Sequence, residues 1–277
     1  MTNMLILGEG KLVARKEPPS RVLTMEKTTV VMKKKVKIRS PILIEGLPGI
    51  GLVGKLAADH MAKELKIEKI AEVYSPHFPH QVVMQKNGAI RMLKNRIYHM
   101  PGKKHDVLIL VGDVQAITPE AQYEVTGKLL DFFEKHGGHE IITLGGYGLG
   151  KSAVATPKVF GCASHKKLVE SYKKYGIVFG ESRGSIIGAA GLLLGLGKLR
   201  GMHGVCLMGE THGAYVDAKS AQAVLEVLSK MLGLKIDTKK LQERAKEGEK
   251  FLKKMEMEAA KQQQMLSPAS KELTYIR

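Results

Sequence analysis

The sequence has no tryptophan, and only two of its 277 residues, Cys162 and Cys206, are cysteine. Two cysteines are too few for a disulfide framework, and they do not have the spacing of metal ligands. The longest uncharged apolar stretch, residues 185–197, is interrupted by four glycines and is shorter than the roughly 20 residues of a membrane span. The first residues lack the basic start, apolar core and small-residue cleavage site of a secretory signal. We therefore expect a cytoplasmic protein without a membrane partner.

Acidic residues are also scarce. The chain has 44 Lys and Arg against 27 Asp and Glu, a formal charge of +17. Ten of these basic residues and three Glu lie in residues 1–40, which therefore carry +7. Such a field attracts nucleic acid or any other acidic partner, but residues 33–39 contain no aromatic side chain on which bases could stack. We interpret this run as the solvated face of a strand that begins near Val30, and a nucleic-acid-binding module is only a third hypothesis.

Short apolar runs alternate with segments of helical periodicity through the middle of the chain. Residues 107–111 are continuously apolar, which is typical of a strand buried on both faces. Thr118-Pro119 marks the start of a helix, and Asn87-Gly88 predicts a hairpin between two strand-like runs. Alternating strands and helices predict a sheet that is covered on both faces. The expected fold is α/β: a three-layer α/β/α sandwich with a mainly parallel sheet, an added hairpin and a long C-terminal helix.

This pattern divides the chain into three parts. We expect a basic N-terminal strand region at 1–39, the α/β sandwich core at 40–236, and a C-terminal helical arm with a free tail at 237–277. A helix over residues 238–266 would be about 43 Å long at ~1.5 Å per residue.

The predicted arm carries an apolar stripe. Eight positions recur at alternating spacings of four and three, the spacing of a heptad seam, and six of them are apolar. These positions are Leu241, Ala245, Gly248, Leu252, Met255, Ala259, Gln262 and Leu266. A narrow apolar stripe on a charged helix has to pack against another surface, either its own domain or a partner chain. We favour a partner chain.

Two glycine-rich motifs raise the alternative of a nucleotide- or dinucleotide-binding enzyme. Gly49–Gly54 satisfies G-x-G-x-x-G between a strand and a helix, with Glu68 or Glu72 as the acidic residue expected at a ribose. Gly145–Ser152 matches G-x-x-x-x-G-K-[ST], but Pro157 would fall in the second turn of the helix that a P-loop requires. Glycine-rich turns also occur where tight turns and close packing need glycine.

Other polar residues give a weaker catalytic signal. His77 and His80 have the separation of a metal-binding pair but no Cys, Asp or Glu beside them in the sequence. Asp113, Glu181 and Glu210-Thr211-His212-Gly213 could converge on a small-molecule site at the carboxyl edge of the sheet. No nucleophile and base can be assigned from spacing. We therefore predict no catalytic residue, no cofactor and no metal.

An ordered set of short segments carries a family resemblance. The segments are Gly46–Gly54, Asp113–Gln115, Gly145–Gly148, Pro157–Gly161, Gly188–Gly195 and Cys206–Thr211. Together they resemble the archaeal-type homologues of proteasome assembly chaperones. The resemblance implies a sandwich similar in shape to nucleoside phosphorylases but without their catalysis. It also implies a homo-oligomer, such as a homotetramer, that helps proteasome α-type subunits assemble without ATP, and glycine-rich turns that serve packing.

The end of the chain adds a second candidate contact. Several chaperones and activators of this class dock through a C-terminal hydrophobic–Tyr–any-residue ending, whose aromatic ring and carboxylate enter a pocket. This chain has Tyr275, but Thr274 is not apolar and one extra residue follows the tyrosine.

The sequence therefore predicts a non-enzymatic, ATP-independent chaperone for proteasome α-type subunits or other clients with exposed apolar surface. The predicted partner-binding residues are Leu241, Ala245, Leu252, Met255, Ala259, Leu266, Leu273, Tyr275, Ile276 and Arg277.

Overall fold

The computed structural model describes residues 6–7, 11–12, 25–149, 156–180, 184–213 and 215–246. The strands in this part of the chain are β1 Ile6–Leu7, β2 Lys11–Leu12, β3 Thr29–Met32, β4 Ile42–Gly46, β5 Glu68–Tyr74, β6 Val82–Met84, β7 Ile90–Met92, β8 Asn95–Met100, β9 Val107–Gly112, β10 Glu140–Gly148, β11 Val159–Ala163, β12 Val178–Phe179 and β13 His203–Thr211. The helices are α1 Val53–Glu64, α2 Pro119–Lys135, α3 Lys166–Lys173, α4 Ala189–Leu199 and α5 Ala218–Leu232. Residues 239–246 are also helical.

Nine strands form the main sheet in the order β12-β11-β13-β10-β4-β9-β8-β5-β3. The central strands β13, β10, β4 and β9 are parallel. Toward one edge, β9, β8, β5 and β3 pair antiparallel, and β11 is antiparallel to β13 at the other. The sheet is thus parallel in its centre and mixed overall, because a link as short as residues 101–106 between β8 and β9 cannot make the crossover that parallel pairing needs.

Helices cover both faces of this sheet, which confirms the three-layer sandwich. Helices α2 and α4 pack on one face, with Leu130, Phe133 and Leu193 in the core beneath them. Helices α1 and α5 pack on the other face, with Met61 and Leu228 in a second core. Strand β9 is buried along its whole length, as its uninterrupted apolar sequence predicts.

The basic N-terminal segment contributes an edge strand to this sheet. Strand β3 pairs with β5 and ends at Met32, whereas the expected strand continued toward Arg39. Lys33 and Lys34, which follow β3, form ion pairs with Glu72 and Glu68 of β5, so these two positive charges are balanced by the neighbouring strand.

The Asn87-Gly88 hairpin consists of β6 and β7, which pair antiparallel beside the main sheet. Gly88 has a φ of +80°, a backbone conformation that favours glycine. Within the described residues, no helix combines the length and apolar character needed to cross a membrane.

Candidate functional site

A cavity of about 1060 Å³ lies at the carboxyl edge of the central parallel strands. Strands β4 and β10 are neighbours in the sheet. The main-sheet strands that come between β4 and β10 in the chain, β5, β8 and β9, lie on one side of this pair, and the strands that follow β10, which are β11, β12 and β13, lie on the other. Such a reversal of strand order creates the crevice in which open α/β sheets bind ligands. The walls come from the ends of β4 and β10, from β11 and β13, and from the segment before α4.

Glu45, near the end of β4, lines this cavity and is only 1% exposed. Its Oε1 accepts a hydrogen bond from the Leu47 amide at 2.8 Å. Its Oε2 has no hydrogen-bond partner within the described part of the chain. Burial raises the pKa of Glu45 to about 8, although the Leu47 hydrogen bond acts in the opposite direction. At neutral pH the cavity therefore contains an uncharged carboxyl group.

Three aromatic rings and two thiols also line the cavity. Tyr147 and Phe160 lie with their ring centroids 4.7 Å apart, and Phe179 lines the same space. Cys162 of β11 and Cys206 of β13 are directly paired across the two strands. Cys162 is exposed and Cys206 is buried, and burial raises the pKa of the Cys206 thiol to about 12. Cys162 is thus the accessible thiol of the cavity.

Gln115 fixes the position of the segments around the cavity. Its side-chain nitrogen donates to the Pro48 carbonyl at 2.6 Å. Its side-chain oxygen accepts from the Ala189 amide at 2.9 Å and from the Gln122 side chain at 3.2 Å. A Cβ at Gly188, where φ is +85°, would lie 2.6 Å from this oxygen. The side chain therefore ties the start of α4 to the turn after β4.

The Gly49–Gly54 motif packs a helix closely against the sheet. Residues 50–52 form a 3-10 turn, and α1 begins at Val53. A Cβ at Gly54 would lie 2.1 Å from the Leu144 carbonyl oxygen of β10. The expected acidic partners, Glu68 and Glu72, lie on β5, which β9 and β8 separate from β4. The motif therefore lacks the neighbouring acidic strand end of a dinucleotide site.

The first half of the second motif is a strand. Gly145–Gly148 continues β10 and pairs residue by residue with β13 as far as Thr211, whereas a P-loop curls around a phosphate. No helix includes Pro157 or its described neighbours. Gly150, Lys151 and Ser152 lie outside the described residues.

The other polar residues that the sequence singles out are engaged elsewhere. Glu210 accepts a hydrogen bond from the Lys158 amide, and the Thr211 hydroxyl donates to Asp217, the N-cap of α5. Burial opposes the ionisation of Asp113, but Arg91 and Arg96 hold its pKa below the usual value.

None of these acidic side chains lines the cavity. Glu181 lies outside the described residues. His77 lies 3.8 Å from Glu124, and the described chain holds no cluster of three or more metal-binding side chains.

The predicted arm is anchored at its base. Leu241 is fully buried in the core beneath α1 and α5, so its side chain holds the helix against its own domain and is not available to a partner. This corrects its assignment as a partner contact. Ala245 is partly exposed, and residues 242–244 and 246 are exposed. The predicted contacts Leu252, Met255, Ala259, Leu266, Leu273, Tyr275, Ile276 and Arg277 lie outside the described residues.

The hairpin of β6 and β7 presents an exposed apolar surface. Val82 pairs with Met92 and Met84 with Ile90, and Met84 is 83% exposed. We call these four residues the hairpin patch. Val83, between them, packs toward the core beneath α2 and α4. The patch is thus an apolar surface on a fixed element.

Sequence reasoning missed both Glu45 and the hairpin patch. The signal for Glu45 is a single carboxylate within the otherwise apolar β4 sequence, Ile42–Gly46. The signal for the patch is that all three residues of β6 are apolar. Alternate residues of a strand point to opposite faces, so when Val83 faces the core, Val82 and Met84 must face outward.

Comparison with known proteins identifies related chains. Residues 43–256 match the sequence pattern of the PAC2 family. The chain is 38% identical over 253 residues to the protein MJ1210 of Methanocaldococcus jannaschii, covering 89% of this chain and 97% of that protein.

Two solved structures of Pyrococcus furiosus proteins are similar in fold and sequence. PbaB, described as an archaeal proteasome activator, superposes with a TM-score of 0.80 at 47% identity, covering 84% of this chain and 100% of PbaB. PbaA, described as an archaeal homolog of proteasome-assembly chaperone, gives a TM-score of 0.71 at 30% identity, covering 87% of this chain and 97% of PbaA. The family resemblance and the α/β sandwich expected from the sequence are thereby confirmed.

Proposed function

This chain belongs to the PAC2 family, and from that membership we propose that it is a non-enzymatic chaperone that binds proteasome α-type subunits and assists their assembly. The observation that carries the proposal is the 47% identity to the proteasome activator PbaB over the full length of that chain. The 30% identity to PbaA, a homolog of proteasome-assembly chaperone, supports the same role.

The C-terminal helix is the proposed client-binding element. Its first turn is held in the core by Leu241, while the described positions that follow are exposed or partly exposed. A helix with a fixed base can direct the later positions of its apolar stripe toward another protein. We therefore assign client contact to Leu252, Met255, Ala259 and Leu266. Methionine suits such a surface because its flexible thioether adapts to varied partners.

The tail is proposed as a second contact with the same client. Leu273, Tyr275, Ile276 and Arg277 follow the stripe at the end of the chain. A buried aromatic anchor commonly dominates the energy of such an interface. Tyr275→Ala should therefore weaken the affinity for α-type subunits at least tenfold.

The proposed role does not use ATP. The described half of the P-loop-like motif is paired strand, and Gly54 is used for packing between α1 and β10. Paired strand in one motif and close packing in the other support a role without ATP, because both give the glycines a structural use.

The hairpin patch is proposed as the contact between copies of this chain. An exposed apolar surface on a fixed element is typical of a protein interface. Pairing of this patch with its own copy about a twofold axis gives a dimer, and a homotetramer then needs a second interface. Met84→Asp together with Ile90→Lys should lower the solution mass of the oligomer without unfolding the protomer. An unchanged mass in light scattering would contradict this assignment.

The experiment compares the full chain with two alterations of the arm in binding to purified proteasome α-type subunits. A chain that ends at Lys246 keeps the buried Leu241, so the loss of the arm is separated from unfolding of the core. Leu252→Asp with Met255→Asp alters the stripe alone, and Lys253→Gln with Lys254→Gln is the matched control between the same positions. We expect binding to be lost in the first two and kept in the control. Equal binding by all four proteins would refute the arm as the client-binding element.

A further inference from the structure

The cavity between β4 and β10 contains a buried polar group whose hydrogen-bonding capacity the described chain does not use. Glu45 Oε1 accepts from the Leu47 amide, but Oε2 lies buried without a partner. Nearly all buried side-chain oxygens in folded proteins have a hydrogen-bond partner. Because Glu45 lines a large cavity, a ligand bound there could supply the missing partner.

The charge of the cavity wall argues against an ionic ligand. Apart from Glu45, Lys173 of α3 is the one charged side chain among the described lining residues. Its ammonium group lies 2.8 Å from the carboxylate of Glu170, so its charge is already balanced. Because burial raises the pKa of Glu45 to about 8, the carboxyl group at neutral pH is a hydrogen-bond donor.

The aromatic side chains of the wall favour a flat ring. Tyr147 and Phe160 form a tilted aromatic pair, and Phe179 and Met208 add apolar surface. Aromatic walls bind ring systems through stacked or edge-to-face contacts. An apolar pocket with one or two placed polar groups is the usual form of a small-molecule site, and this one occupies the strand-order reversal at which open α/β sheets bind ligands.

We propose that this cavity binds a small uncharged heteroaromatic molecule whose carbonyl oxygen or ring nitrogen accepts a hydrogen bond from Glu45. The inference does not depend on the chaperone function, because neither the hairpin patch nor the described start of the arm, residues 239–246, lines the cavity. It adds the binding of a small molecule to the proposed chaperone function.

The test uses N-methyl-2-quinolinone, an uncharged bicyclic compound that has a carbonyl acceptor and no N–H donor. Binding to the full chain is measured by calorimetry at about pH 6 and about pH 9, on either side of the Glu45 pKa. We expect binding at the lower pH and at least tenfold weaker binding at the higher pH, where the ionised carboxylate repels the carbonyl oxygen.

Two variants separate Glu45 from the other titratable groups of the wall, which are Tyr147, Cys162, Lys173 and Cys206. Glu45→Gln keeps a donor and all of these groups, so its affinity should be retained at both pH values. Glu45→Leu removes the donor and should bind at least tenfold more weakly at the lower pH. Circular dichroism of both variants verifies that they fold.

Cys162 supplies an independent measurement of where the probe binds. It is exposed and lines the cavity, whereas Cys206 is buried and its pKa of about 12 keeps it protonated. At neutral pH, N-ethylmaleimide should therefore modify Cys162, and saturating probe should slow this modification several-fold. The proposal is overturned by absence of binding at millimolar probe, by equal affinity in wild type and Glu45→Leu, or by unchanged Cys162 modification.

Discussion

Replacing Glu45 by glutamine isolates the energetic effect of a buried carboxyl group. Burial raises the pKa of Glu45 from 4.5 to about 8, so between these pH values the folded chain holds a proton that the unfolded chain releases. Protonated Glu45 therefore favours the folded chain. This contribution to the free energy of unfolding is complete below about pH 4.5 and is lost as the pH rises toward 8. At about 1.4 kcal/mol per pH unit, the loss is roughly 3 kcal/mol from pH 5 to 7 and roughly 5 kcal/mol over the whole interval.

Urea unfolding of wild type and Glu45→Gln at pH 5, 6, 7 and 8 measures this effect. The glutamine amide does not ionise, so the variant does not lose this stabilisation as the pH rises. The free energy of unfolding of the variant minus that of wild type should therefore increase with each increase in pH. The same substitution at the exposed Glu226 controls for the loss of one negative charge. A difference between wild type and Glu45→Gln that stays constant from pH 5 to 8 would refute the reasoning.

Three further predictions concern the core and the sheet edge. Leu241→Ala should lower the free energy of unfolding by about 3 kcal/mol, because it leaves a cavity where the base of the arm packs; a change below about 1 kcal/mol in urea unfolding would contradict the anchor. Gly54→Ala should cost about 2 to 3 kcal/mol, since its Cβ would overlap the Leu144 carbonyl, and thermal unfolding would measure it. At Glu72, burial is outweighed by hydrogen bonds from two lysines that hold its pKa well below 4.5. Glu72→Gln should therefore lose about 2 kcal/mol at pH 7, with the gap to wild type closing as the pH falls below 4; an equal gap at pH 3 and pH 7 would argue against these ion pairs.

Much of the fold can be predicted from the sequence, because buried strands, helix starts and tight turns each have a characteristic residue pattern. The uninterrupted apolar residues of β9, the Thr118-Pro119 helix start and the Asn87-Gly88 turn each specify a local structure. The order of the strands in the sheet is harder to predict from the sequence, because it depends on contacts between segments that are far apart in the chain. The antiparallel pairing of β5 with β3 and β8 is such a case, and it also places Glu72 three strands away from the glycine motif.

The candidate site could be predicted only in part. The carboxyl edge of the sheet was the expected location, but the expected side chains Asp113 and Glu210 are held by other partners. Glu45 was missed because a carboxylate within a strand shows its importance only when its burial and its unpaired oxygen are known. Leu241 fits the heptad spacing as well as the later positions do, and only its packing distinguishes an anchor from a partner contact.

The most direct test of the proposed function is the assembly of purified proteasome α-type subunits into rings, followed by native mass spectrometry with and without this chain and in the absence of nucleotide. The chaperone function predicts faster ring formation with the full chain, no further increase on adding ATP, and no acceleration by a chain that ends at Lys246. Ring formation at the same rate with and without the full chain, or acceleration only when ATP is present, would contradict it.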